Sequence, residues 1–85
     1  MNDDEKILTF ELVQTGDALD IHANKKGLAE LIRVCQRLYE HGGHEHMMTP
    51  SWGGTELTEQ PQGESHRPLN KVTLRLWGER GRLGR

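Results

Sequence analysis

The chain has 85 residues, 33% of them hydrophobic and 28% charged, with a formal net charge of −2. That length supports one domain with a thin core, and the slight acidity argues against a general nucleic-acid binder, which needs a basic face. The lone Cys35 rules out an intramolecular disulfide and suits a reducing, cytoplasmic compartment.

No apolar run approaches the roughly 20 residues of a membrane span. The acidic opening Met1-Asn2-Asp3-Asp4-Glu5 is unlike a secretory leader. Charge is polarised along the chain. The first 20 residues set Asp3, Asp4, Glu5, Glu11, Asp17 and Asp20 against Lys6 alone, whereas residues 66–85 set Arg67, Lys71, Arg75, Arg80, Arg82 and Arg85 against Glu79. Two readings follow: the ends attract each other within the sheet, or a basic tail meets an acidic partner.

Lys6 to Gln14 alternates in the manner of a strand, with Leu8, Phe10 and Leu12 on one face. Thr15-Gly16-Asp17 is a turn signal, because glycine tolerates positive φ and aspartate can bond its own backbone. Ala18 to Ala23 completes a hairpin, with Leu19 and Ile21 expected inward and Asp20 and His22 outward. Asn24 is the expected N-cap of an amphipathic helix carrying Leu28, Leu31, Ile32, Cys35, Leu38 and Tyr39 at spacings of three and four. Gly42-Gly43 ends it, with His41 in the last turn. Residues 43–50, GHEHMMTP, form a strand stopped by Pro50. Residues 51–69 read as a long exposed loop anchored by Leu57. Lys71 to Trp77 is the last strand, with Val72, Leu74 and Leu76 inward and Thr73, Arg75 and Trp77 outward. The expected architecture is α+β, in the order β-β-α-β-β, with one helix on one face of a small, mostly antiparallel sheet and the other face wet. Residues 1–77 form the domain, and 78–85 a flexible tail.

His44 and His46 stand two apart on a strand, so both imidazoles face one way, about 7 Å apart. That is a two-ligand platform for a metal such as zinc. His22 is the third candidate ligand if the second and third strands are neighbours, about 5 Å apart; an intervening strand doubles the gap. The competing reading is a polar, solvent-facing sheet surface that happens to be rich in histidine. Cys35 on the apolar helix stripe reads as a buried, unreactive core residue. No nucleophile elbow, phosphate loop or second convergent group accompanies Glu45 and the histidines, so catalysis is not expected. Trp52, beside two loop glycines, is either folded over the core edge or presented as a binding anchor. Together with His22, His44, His46, Arg75 and Trp77 it makes the expected partner-binding surface. An uncovered strand edge also allows a homodimer.

The run Asp20-Ile21-His22-Ala23-Asn24-Lys25-Lys26-Gly27-Leu28, then Leu31-Ile32, then residues 43–50 and Glu56-Leu57-Thr58-Glu59, resembles the bacterial immunity protein 32 family over about residues 18–59. Ser51-Trp52-Gly53-Gly54 and the basic C-terminus depart from that pattern. The resemblance implies a small α+β protein without catalytic residues, one that neutralises a toxin by binding it stoichiometrically. It leaves the choice of toxin open.

Overall fold

The structure is a computed structural model that describes residues 5–78. Its elements are β1 (Leu8–Leu12), β2 (Leu19–Ala23), α1 (Lys25–His41), β3 (His44–Met48), a 3-10 turn (Pro50–Trp52), β4 (Arg67–Pro68) and β5 (Lys71–Arg75). The expected α+β order is therefore observed, with one short strand added inside the long connection. The tail beyond Gly78 lies outside the described residues, as do Arg80, Arg82 and Arg85.

Two antiparallel sheets form, β2-β1-β4 and β3-β5. The β1–β2 hairpin pairs Leu8 with Ala23 and Leu12 with Leu19, closed through Gly16 at φ 85°. Backbone hydrogen bonds join the sheets. The Leu69 amide donates to the Phe10 carbonyl at 2.8 Å, Thr58 to Leu8 at 2.8 Å, and Leu57 to Met48 at 3.2 Å. The segment expected as an exposed loop is thus woven between β1 and β3, and Leu57 is buried in the core. Around it lie Leu8, Phe10, Val34 and Met47, flanked by Leu31, Leu69, Val72 and Leu74.

Asn24 caps α1 as expected: its side-chain oxygen accepts from the Gly27 amide at 2.9 Å and also from the Ile7 amide at 3.0 Å. One side chain therefore starts the helix and ties it to the entry of β1. Gly27 explains how α1 is seated. A Cβ there would stand 1.6 Å from the Ile7 carbonyl oxygen, so the helix lies on the β1 backbone at that point.

This close approach turns a different stripe inward from the one expected. Gly27, Val34 and Leu38 are buried, while Leu28, Ile32, Cys35 and Tyr39 are exposed. Cys35 is accordingly a surface residue. Leu19 and Ile21 share the helix-facing side of the sheet with Leu12 and Phe10, yet about half of each remains exposed, at 47% and 49%. They sit on an edge strand, where α1 covers them only in part.

Replacing an exposed helical glycine by alanine usually stabilises by about 1 kcal/mol. Here the clash with backbone outweighs that gain. Gly27→Ala is expected to lower stability by about 2 kcal/mol or more, read as a reduced urea midpoint at unchanged slope.

Candidate functional site

The other face of β1 carries Thr9 and Glu11, which alternation places toward solvent. Both are buried, at 1% and 0% exposure. The covering segment is residues 62–66. Glu11 accepts from the Gln62 amide at 2.7 Å and the Gly63 amide at 3.1 Å, and from the Thr9 hydroxyl. Nδ1 of His66 lies 3.0 Å from its Oε1. A lone buried carboxylate is costly, and these groups supply what its lone pairs require.

Burial pushes the Glu11 carboxyl up, but the hydrogen bonds from Thr9, the two backbone amides and His66 outweigh it. They hold the group down at about 2, against the usual 4.5. Gly63 and Ser65 shape the turn that delivers His66. Ser65 adopts φ 60°, and a Cβ on Gly63 would fall 2.2 Å from the His66 ring nitrogen. From β2, His22 brings Nε2 to 3.7 Å from Glu11 Oε1. The His22 and His66 rings lie 5.6 Å apart, tilted by 51°.

His44 and His46 lie together on the opposite side of β3 from buried Met47, their ring centroids 4.8 Å apart. Register places Arg75 opposite His44 and Thr73 opposite His46, and His46 Nδ1 lies 2.9 Å from the Thr73 hydroxyl. Partial desolvation, then the positive charges of Lys71, His44 and Arg75, keep His46 below its ordinary pKa. Trp77 follows β5 at the same end and is 52% exposed.

The structure does not gather the six expected partner-binding residues into one patch. Trp52 is presented outward, 56% exposed, but beyond the other end of β3. His22 lies in the other sheet, since β2 pairs with β1 and β3 with β5. The expected ligand set His22, His44 and His46 is therefore not assembled. Sequence reasoning missed Glu11 and His66. The available signal was a carboxylate within a strand of Leu8, Phe10 and Leu12, with a Gly63-x-x-His66 turn downstream.

The exposed side of α1 forms a shallow apolar groove lined by Leu28, Leu31, Ile32, Cys35, Gln36 and Tyr39. Tyr39 is 83% exposed. Glu45 turns toward α1 instead, where Arg37 holds it at 3.2 Å.

The model of the family described as immunity protein 32 matches residues 18–69. The chain belongs to that family. The match runs from β2 through α1 and β3 to β4, and so spans the helix stripe, the His44 and His46 pair and the segment that carries His66. It extends about ten residues further than the likeness legible by eye. Comparison with curated proteins and with solved structures finds no significant match. Among the described residues no helix is long and apolar enough to cross a membrane.

The depressed Glu11 pKa has a consequence for acid stability. A carboxyl held below its unfolded value stabilises the fold above about pH 4.5, and that contribution disappears as pH falls toward 2. Glu11→Gln is expected to cost about 2 kcal/mol at neutral pH and to flatten the loss of stability between about pH 5 and 2. Denaturant titrations across that range measure both.

Proposed function

We propose that this chain is a non-catalytic, stoichiometric inhibitor that neutralises a protein toxin by docking the exposed apolar stripe of α1 onto it. Membership of the immunity protein 32 family carries the reading. The stripe supports the choice of surface. Leu28, Ile32 and Tyr39 are large, sit at helical spacing on one side, and are each at least half exposed, although a small domain needs its apolar residues for the core. An amphipathic helix laid against a partner is a common recognition mode, and an exposed aromatic beside aliphatic residues is a typical anchor. Binding in the bacterial cytoplasm, before the toxin reaches its target, fits this role.

A second surface is favoured by the exposed Trp77 beside Arg75 and the paired His44 and His46 rings. Its polar rim and single aromatic suit a smaller contact, or an extension of the main one. Trp52, on the far side of β3, belongs to neither patch.

A toxin encoded beside this chain's gene, identified by sequencing that neighbourhood, is the partner to test. Co-expression is expected to restore growth of cells making that toxin, and the purified pair to run as a 1:1 complex by light scattering. Tyr39→Ala and Ile32→Ala are each expected to weaken binding by about 2 kcal/mol, roughly thirtyfold. The paired His44→Ala, Trp77→Ala variant should bind within a few-fold of the parent. Loss confined to that paired variant would move the interface to the histidine face. Unrelieved toxicity with no complex would end the inhibitor reading.

A further inference from the structure

Among the described residues, Glu11, His22 and His66 each offer one possible ligand atom, and all three atoms lie within 4.8 Å of one another. Hydrogen bonding alone accounts for only part of this cluster. It explains why Glu11 is buried and why His66 Nδ1 sits 3.0 Å from it. It does not explain His22, whose Nε2 is buried without any hydrogen-bond partner. That nitrogen stands 3.7 Å from Glu11 Oε1, too far for a hydrogen bond. A buried ring nitrogen left so costs about 1–3 kcal/mol.

We propose that Glu11, His22 and His66 form a binding site for a divalent transition-metal ion of the zinc class. Ligand bonds of about 2.0–2.2 Å in tetrahedral geometry put ligand atoms roughly 3.3–3.5 Å apart. The separations of 3.0 and 3.7 Å measured from Glu11 Oε1 bracket that value. An ion there gives the orphaned His22 nitrogen a partner, and two neutral imidazoles with one carboxylate suit zinc better than calcium or magnesium, which prefer all-oxygen shells.

The surroundings suit the ion as well. Nε2 of His66, the nitrogen not facing Glu11, lies 3.8 Å from the Asp20 carboxylate, beyond hydrogen-bond reach but near enough for its charge to favour a cation at the site. Gly63 leaves the room the His66 ring occupies. Three protein ligands leave the fourth position to water. The ion would clamp residues 62–66 onto the β1–β2 hairpin. The surface pair His44 and His46 makes a poorer site, because one His46 nitrogen already contacts Thr73 and, among the described residues, no third ligand joins the two rings.

The test is titration of zinc, and of cobalt(II) as a spectroscopic probe, into the untagged full chain. Calorimetry is expected to show one ion per chain, with a cobalt spectrum of tetrahedral type. His22→Gln, on an edge strand and confirmed folded by circular dichroism, should weaken binding at least about a hundredfold; Asp20→Asn, which removes only a nearby exposed charge, should weaken it no more than about a few-fold. The paired His44→Ala, His46→Ala variant should bind as the parent does. Ring-proton NMR needs no variant: zinc should move the His22 and His66 signals and leave those of His44 and His46 in place. Three results overturn the proposal: no binding, weak multiple binding that His22→Gln leaves unchanged, or zinc shifts confined to His44 and His46.

Discussion

A carboxylate buried near the end of β1 is the constraint on which this fold turns. Glu11 has no solvent of its own, and an unpaired charge there would cost more than the whole domain's marginal stability allows. Apart from the Thr9 hydroxyl, its partners come from more than 50 residues away along the chain, from Gln62, Gly63 and His66. Bringing them in folds the long segment after the 3-10 turn across the otherwise open face of β1. The same return of the chain lets β4 pair with the end of β1 and delivers β5 to β3. A polar demand at one position thus draws the two sheets together.

The second constraint is the seat of α1. Asn24 ties the helix start to Ile7, and Gly27 lets it lie against the β1 backbone. Together they fix the rotation of the helix about its axis and hence which residues enter the core. Only a few large side chains are fully enclosed, as expected for so short a chain. The price of that seating is an uncovered apolar stripe on α1 and a partly covered edge at Leu19 and Ile21. In the function proposed above, that exposed apolar side of α1 is the surface that meets the toxin. The polar cluster under β1 plays a separate part, since it lies on the opposite side of the sheet from that stripe.

Much of the local structure was legible in the residues. The hairpin about Gly16, the Asn24 cap, the glycine stop after His41, the strand 44–48 and the alternation of 71–75 are all dictated by neighbours within a few positions, where periodicity, turn chemistry and capping operate. Leu57 was legible too, as an isolated leucine in a polar stretch that only burial explains. Family membership was visible in the same short motifs, because they encode the β2–α1–β3 unit at the centre of the match.

What only the tertiary structure decided is where those elements face and which distant groups meet. Apolar periodicity shows that a helix has an apolar side, but Leu28, Leu31, Ile32, Cys35, Leu38 and Tyr39 span an arc wider than one partner covers. The contact of Gly27 with Ile7 chose the half that went inside. Alternation along β1 places Glu11 opposite Phe10, but it cannot say whether water or another segment lies beyond. His22 alternates outward as His44 and His46 do, and would meet them only if the second and third strands were neighbours. Strand pairing set it instead beside His66, 44 positions further on. Such meetings depend on long-range backbone pairing, and pairing is settled by the packing of the whole chain rather than by any one stretch of it.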